Sequence, residues 1–197
     1  MAPLDEEDIQ LMCRAREGDV DAFTTLCARH RRRVESFLYR LFRDRESAAD
    51  GAQEVLLRVW MARRRYEPRA RFTTFLYQVA HNYWLDELRK ARARPEEVSF
   101  DDGLENPPGR LLLPAPAAME PHEHLFLRYR QWQIQEAIAR LPEIYRLAFV
   151  LAHLEGHKIA EIAEILEIPE GTVKSRLHTA TRKLRRWLLS EESEEER

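Results

Sequence analysis

The sequence predicts an all-α protein that consists of two small helical domains. Apolar residues recur every three or four positions through most of the chain, for example at Phe72, Leu76, Val79 and Tyr83. This period is that of an amphipathic helix. No stretch of similar length alternates apolar and polar residues with the period of two that a half-buried strand requires. Helices are therefore the elements from which both domains are built.

A proline-rich segment separates the two domains. Six prolines lie between residues 95 and 121, and proline interrupts a helix because it lacks the backbone N–H that the helix uses. Five acidic residues between positions 96 and 105 add the composition of a solvated linker. The predicted organisation is a helical domain at 1–94, a Pro-rich acidic linker at 95–124, a helix-turn-helix domain at 125–189 and a disordered acidic tail at 190–197.

Charge is distributed in blocks along the chain. The formal net charge is only -2, yet residues 29–94 carry 17 basic and 8 acidic side chains. Residues 125–189 carry 11 basic and 7 acidic side chains, and the segments around the two blocks are acidic. Two basic blocks separated by an acidic one favour two modules that bind polyanions. Solvated helix faces are the alternative interpretation of the same pattern.

Composition disfavours several classes of protein. The six glycines do not cluster into a phosphate-binding loop, and His122 and His124 lack the spacing and cysteine partners of a zinc site. We therefore expect neither an enzyme nor a bound cofactor or metal. Cys13 and Cys27 lie far apart, which suits a reducing compartment. Because no apolar run approaches the ~20 residues of a membrane span, we expect a cytoplasmic protein without membrane insertion.

Cations and aromatic residues surround a short turn in the first domain. The cations lie on both sides of Glu67-Pro68, at Arg63, Arg64, Arg65, Arg69 and Arg71. The aromatic residues follow on the next predicted helix, at Tyr77, Tyr83 and Trp84. Single-stranded nucleic acid is bound by cations that track its backbone and by aromatic faces that hold its bases, so this segment predicts a surface for unpaired DNA. Core packing is the alternative for each aromatic residue. A second basic run, 29–33, is placed at the start of a helix and is expected to meet DNA or an acidic protein surface, with a solvated helix face as the alternative.

The second domain has the spacing of a helix-turn-helix. Ile159, Ile162 and Leu166 form the apolar stripe of a short helix, residues 167–171 supply the turn, and Thr172 or a neighbour caps the last helix. The last helix carries apolar residues on one face and basic or short polar residues on the other. Such a helix can enter the major groove, contact phosphates and offer polar groups to base edges. An ordinary amphipathic helix hairpin is the alternative.

Three stretches match patterns of one protein family: 48–55 (AADGAQEV), 72–82 (FTTFLYQVAHN) and 171–178 (GTVKSRLH). In this order they resemble the polymerase-binding, strand-capturing and −35-binding helices of RNA polymerase sigma factors of the extracytoplasmic-function group. The chain departs from that pattern at Gly51, where the family usually carries a bulky aliphatic residue. The resemblance implies a sigma factor that binds core RNA polymerase and directs promoter recognition, DNA melting and transcription initiation. It is also consistent with an anti-sigma factor as a further partner.

The resemblance and the charge pattern together assign residues to three sites. The polymerase-binding residues are Asp50, Gln53, Glu54 and Leu57. The residues for the −10 region, including its non-template single strand, are Arg65, Arg69, Arg71, Phe72, Gln78, Asn82, Arg89 and Lys90. The residues for duplex DNA of the −35 region are Thr172, Lys174, Ser175, Arg176, His178, Thr179 and Arg182. The competing hypothesis is a stand-alone helix-turn-helix regulator with a helical sensor domain, which has no reason to carry the stretches 48–55 and 72–86.

Overall fold

The structure, a computed structural model, describes residues 3–68, 71–93 and 133–195. Its helices are α1 (Pro3–Arg16), α2 (Val20–Phe42), α3 (Arg45–Ala62), α4 (Phe72–Ala93), α5 (133–139), α6 (Glu143–Phe149), α7 (Ile159–Leu166) and α8 (Glu170–Glu195). A 3₁₀ turn at Arg63–Arg65 follows α3, and a π-helical turn at Val150–Leu154 follows α6. Within the described ranges no residue lies in a β-strand, so the prediction of an all-α fold is confirmed. The predicted linker 95–124 lies outside the described residues.

The described helices pack as two compact units. In the first unit, α1 to α4 pack together with residues 150–173, which contain α7 and the first turn of α8. The second unit joins α5 and α6 to α8 from Lys174 onward. The predicted domain boundaries at 1–94 and 125–189 stay a prediction. Among the helices that the structure describes, none combines the length and the apolar character that a membrane crossing needs.

Helix α2 begins well before the basic run 29–33. The Asp19 side chain caps it by accepting a hydrogen bond from the Ala22 N–H at 2.9 Å. This bond, together with one from the Arg14 guanidinium, lowers the pKa of Asp19. A carboxylate here satisfies a free backbone donor and complements the helix dipole. The expectation that the basic run opens a helix is therefore wrong, since the run lies in the middle of α2.

Helix α1 is fixed to α2 by a buried charged cluster. The Asp8 carboxylate lies 2.6 Å from His30 Nε2 and accepts a hydrogen bond from Arg29 Nη1 at 3.0 Å. Asp8 and His30 are each about 5% exposed. Burial lowers the pKa of His30 although the neighbouring Asp8 charge opposes that shift. The cluster therefore holds a carboxylate inside the first unit by giving it two partners, as buried charges require.

Gly51 allows three helices of the first unit to approach one another closely. A Cβ atom at this position would lie 2.8 Å from Tyr83 Cε1 on α4 and 3.0 Å from Leu38 Cδ1 on α2. Both distances are shorter than packed carbon atoms normally adopt. Glycine inside a helix costs about 1 kcal/mol relative to alanine. The close packing of α3 therefore explains why the chain carries glycine at this position.

The turn between α7 and α8 is shorter than the sequence predicted. The Pro169 carbonyl accepts hydrogen bonds from the N–H groups of Thr172 at 2.9 Å and Val173 at 3.2 Å. Helix α8 therefore begins at Glu170, so Thr172 lies within its first turn instead of capping it. At its other end α8 continues to Glu195, into the segment predicted as a disordered tail, because glutamate is a good helix former.

Candidate polymerase-binding and DNA-binding surfaces

The predicted polymerase-binding residues share one face of α3. Successive residues of a helix are about 100° apart, so Asp50, Gln53, Glu54 and Leu57 fall within a sector of about 100°. Asp50, Gln53 and Leu57 are exposed and Glu54 is half-buried. The buried residues lie on the rest of the helix, at Ala48, Gly51, Ala52, Val55, Leu56 and Val59. The packing of α3 therefore leaves the four predicted residues facing outward.

Met61 extends this face by one turn, and the sequence reasoning missed it. It follows Leu57 by four residues, and the two side chains are 71% and 52% exposed. Neighbouring exposed apolar side chains are typical of a surface that binds a partner. The i,i+4 spacing from Leu57 was the signal that could have identified it. We call Asp50, Gln53, Glu54, Leu57 and Met61 the α3 stripe.

A half-exposed arginine connects the α3 stripe to helix α4. Arg58 donates hydrogen bonds to Glu54 at 2.9 Å and to Asp86 at 2.8 Å. Its guanidinium carbon also lies 5.1 Å from the centre of the Tyr83 ring. The hydrogen bond from Arg58 is the main reason that the pKa of Asp86 lies below its ordinary value. One cation thus joins the face that carries Glu54 to the helix that carries the predicted DNA-binding residues.

Three of the predicted −10 residues form a line along α4. Gln78, Asn82 and Arg89 fall within about 40° around the helix axis, with Asn82 and Arg89 exposed and Gln78 half-buried. Lys90 is exposed as well, but it lies about 100° around from Arg89 and pairs with Glu87 at 2.7 Å. The structure therefore groups the first three and separates Lys90 from them. We call Gln78, Asn82 and Arg89 the α4 stripe.

The aromatic residues of α4 do not form the exposed faces that the sequence predicted. Phe72 and Tyr77 are each 1% exposed and Trp84 is 5% exposed, while Tyr83 is half-buried. Phe72 packs edge-on against the His30 ring with centroids 5.2 Å apart. These rings belong to the apolar side of α4 and fill the core of the first unit. The expectation that Tyr77 and Trp84 offer surfaces for stacked bases is therefore wrong, and Phe72 packs in the core.

Two of the predicted −10 arginines around the turn before α4 are described, and they differ in exposure. Arg65 is exposed at the end of the 3₁₀ turn, and Arg69 lies outside the described residues. Arg71 is half-buried, with Nη1 3.5 Å from the Gly156 carbonyl oxygen and 3.8 Å from a Glu161 carboxylate oxygen. A predicted DNA-binding cation thus faces one oxygen atom just before α7 and one in the first turn of α7.

A buried carboxylate of that same segment lies against α2 and α4. The Tyr77 hydroxyl donates a hydrogen bond to Glu155, whose side chain is only 5% exposed. Arg33 Nε lies 3.5 Å and Arg40 Nη1 lies 3.7 Å from the Glu155 carboxylate. Burial, reinforced by the charge of Glu155, raises the pKa of Tyr77, so its hydroxyl keeps the proton that it donates. No pattern in the sequence pointed to this cluster, because its members lie far apart in the chain.

His157 lies next to this cluster and is completely buried. Its ring packs edge-to-face on the Tyr77 ring with centroids 5.1 Å apart, and Nδ1 lies 3.4 Å from a Glu161 carboxylate oxygen. Burial lowers the pKa of His157 from 6.5 to about 4, against the attraction of Glu161. The neighbouring cations Arg71 and Arg33 lower it further. The ring is therefore neutral at ordinary pH.

Helix α8 presents the predicted −35 residues on its outer side. Val173, Ala180 and Leu184 are buried. The exposed −35 residues are Lys174, Ser175, His178 and Arg182, and the half-buried ones are Thr172, Arg176 and Thr179. This agrees with the two faces that the helical period predicted. The outer face combines cations, which suit phosphates, with short polar groups and an imidazole, which suit base edges.

Comparison with known proteins identifies the family. Residues 26–94 match the family profile of sigma-70 region 2, and residues 131–184 match that of sigma-70 region 4. The RNA polymerase sigma factor CarQ of Myxococcus xanthus is 34% identical over 177 residues, which cover 90% of this chain and 95% of CarQ. The chain belongs to the extracytoplasmic-function group of sigma-70 factors. Like its family, this sigma factor directs RNA polymerase to promoters for the initiation of transcription.

A second relative and a solved structure agree with this assignment. The ECF sigma factor SigW of Bacillus subtilis is 29% identical to this sigma factor over 175 residues, which cover 88% of this chain and 92% of SigW. The sigma factor RpoE of Bartonella quintana, solved in complex with the anti-sigma factor NepR, has the same fold with a TM-score of 0.66. The match covers 86% of this sigma factor and 98% of RpoE, at 21% sequence identity. A stand-alone regulator is not favoured, because region 2 accounts for most of the first predicted domain.

Proposed function

We propose that three surfaces divide the work of this sigma factor. The α3 stripe binds core RNA polymerase, the α4 stripe with Arg65, Arg69 and Arg71 holds the non-template strand of the −10 region, and the outer face of α8 binds the −35 duplex. The observation that carries the proposal is the placement of these faces on region 2 and region 4. In this proposal the protein contributes binding and no chemistry of its own.

The proposed partners follow from this division. Core RNA polymerase and promoter DNA, both duplex and single-stranded, are the primary partners, and we place the protein in the cytoplasm, where the polymerase acts. The RpoE structure contains the anti-sigma factor NepR, and CnrH, which shares the fold, was solved in complex with the cytosolic domain of CnrY. By analogy, we propose an anti-sigma factor as a further partner of this chain.

Changes in the α3 stripe test polymerase binding. We expect Gln53→Ala combined with Leu57→Ser to weaken the affinity for core polymerase by roughly ten- to a hundredfold, since two such interface residues together are worth ~1.4–2.7 kcal/mol. Both residues are exposed, so the fold should keep its stability to within about 0.5 kcal/mol. Affinity is measured by titration of labelled protein with core polymerase. Val20→Ser, which also changes an exposed apolar residue but lies before the region 2 match, is the control, and equal affinity of both variants would remove the assignment.

Changes on α8 separate base reading from phosphate binding. His178→Ala should alter which −35 sequence is preferred, by about 1–3 kcal/mol at one or two base pairs. Lys174→Ala should instead weaken binding to all promoters evenly. It should also reduce the slope of log affinity against log salt concentration by about one. Transcription by the holoenzyme from a library of −35 variants measures both effects. Lys183→Ala, a half-buried cation about 140° around the helix from His178, is the control. A His178 variant with unchanged preference would contradict the base-reading role.

A further inference from the structure

We propose that residues 155–161 compete with promoter DNA for the basic side of α2 and α4. In the structure this segment places two carboxylates, Glu155 and Glu161, against the arginines of that side. The inference rests on the proposed function, because the competing ligand is the DNA strand that α4 and the turn before it would hold. It adds a form of self-regulation to that site, in which the chain's own acidic groups occupy cations that DNA needs.

The contacts of Arg71 give the most direct evidence. A guanidinium binds a carboxylate and a phosphate with the same arrangement of N–H donors. Arg71 is assigned to the −10 strand, yet Nη1 faces Glu161 at 3.8 Å and the Gly156 carbonyl oxygen at 3.5 Å. A phosphate oxygen could not occupy the same side of this guanidinium while both oxygens are present. Binding of DNA to this side of Arg71 therefore requires its contacts with Gly156 and Glu161 to be broken.

Glu155 extends the occupied area onto α2. Its carboxylate faces Arg33, which belongs to the basic run 29–33, and Arg40, while the Tyr77 hydroxyl donates a hydrogen bond to it. Arg33 also lies 3.5 Å from the Glu155 carbonyl oxygen. The other arginines of the run, Arg31 and Arg32, are exposed. The acidic segment thus takes up one cation of the run and leaves others available for a first contact with DNA.

The strength of these contacts suits displacement by DNA. The ion pairs of Arg33, Arg40 and Arg71 have N–O distances of 3.5–3.8 Å. The Arg33 and Arg71 side chains are 50% and 27% exposed, and ion pairs of partly exposed cations contribute little to stability, whereas the Arg40 pair is largely buried. DNA presents a row of phosphates and gains from the release of its counterions, and a displaced Glu155 regains its hydration. Because the two ligands share the same cations, each must lower the affinity of the site for the other by the same factor.

The first experiment measures whether DNA releases the segment in the unaltered chain. Hydrogen exchange of the amides in 155–161 is followed with and without a short mixed-sequence single-stranded DNA at low salt. Competition predicts faster exchange in this segment when the DNA is bound. Unchanged or slower exchange with the DNA bound would overturn the proposal, because it would mean that the carboxylates are a fixed part of the core.

The second experiment removes the two charges. The double variant Glu155→Gln and Glu161→Gln keeps the size of both side chains, and glutamine at position 161 can still accept the hydrogen bond from the Lys158 N–H. We expect it to bind the same labelled DNA roughly three- to tenfold more tightly than the unaltered chain, because the change removes the ion pairs that hold Arg33, Arg40 and Arg71. Glu164→Gln removes one charge from an exposed glutamate on the helix that carries Glu161, and it is the control for the effect of each lost charge. The proposal would be overturned if the gain in binding free energy of the double variant were no larger than twice the gain that Glu164→Gln produces.

These measurements are separate from the test of the proposed function. Transcription by core polymerase with the unaltered chain reports on that function whatever the DNA affinity of the free chain. If the unaltered chain supports specific transcription while the double variant gains no DNA affinity, the competition is disproved and the proposed function stands. If the double variant gains affinity and exchange in 155–161 rises with DNA, the competition is supported even where changes in the α3 stripe leave polymerase binding intact.

Discussion

Acidification from pH 7 to pH 5 should destabilise the first unit, and replacement of His157 by phenylalanine should remove much of that loss. In the unfolded chain this imidazole takes up a proton below its ordinary pKa of 6.5, whereas in the folded unit it stays neutral down to about pH 4. Between these values the unfolded state binds more protons, so stability falls as pH falls. The loss is about 1.4 kcal/mol per pH unit, or roughly 2 kcal/mol between pH 6.5 and pH 5.

Urea unfolding at pH 7 and pH 5 measures this effect for both proteins. His30 stays in the variant, and its pKa is also lowered by burial, so the variant should retain a weaker loss in the same direction. Asp19, Asp44 and Asp86 have pKa values below their ordinary 3.8, so their titration changes the free energy of unfolding only at lower pH. Parallel losses of stability in the two proteins would show that His157 does not stay neutral in the fold.

Loss of the two amides of the α4 stripe should impair promoter opening far more than promoter binding. Gln78→Ala with Asn82→Ala removes side chains that can hydrogen-bond unpaired bases, and such contacts are worth ~1–3 kcal/mol each. We expect open complexes to fall by at least about thirtyfold. Closed complexes should change little, because neither residue carries a charge that duplex phosphates would attract.

Permanganate reactivity of the melted region, compared with gel shifts of closed complexes, measures the two steps. The promoter is one that the holoenzyme is found to use when run-off transcripts are sequenced. Gln10→Ala, an exposed amide on α1, is the control. Equal losses in both assays would mean that the α4 stripe only docks DNA. Lys90→Ala should have the smaller effect on opening, because Lys90 points away from the stripe and pairs with Glu87.

The helical period predicted the helices and their exposed faces more accurately than it predicted which aromatic side chains are buried. The faces of α3 and α8 follow from a period that each helix shows by itself, and both agree with the observed exposure. Tyr77 and Trp84 were misassigned because an aromatic ring near cations suits either a core or a base. Which of the two holds is decided by packing partners such as Phe37, whose ring lies 5.0 Å from that of Tyr77. Local sequence does not contain that information.

Contacts between distant parts of the chain were beyond sequence reasoning for the same reason. Glu155 and Arg33 are separated by 122 positions, and no periodic pattern relates them. Gly51 shows the opposite case, in which a departure from the family pattern was visible but its cause was not. The cause is the approach of Tyr83 and Leu38, which only the packed helices reveal.

The sharing of Arg58 between two carboxylates has a consequence for the order of events at a promoter. Glu54 and Asp86 divide the charge of one guanidinium, so a polymerase cation that pairs with Glu54 leaves more of that charge to Asp86. Conversely, a change at Asp86 alters the negative charge that Glu54 shows to the polymerase. Thermodynamic linkage makes the two influences equal in size. Under the proposed division of surfaces, a change at Glu54 on α3 should therefore also alter the charge around Asp86 on α4.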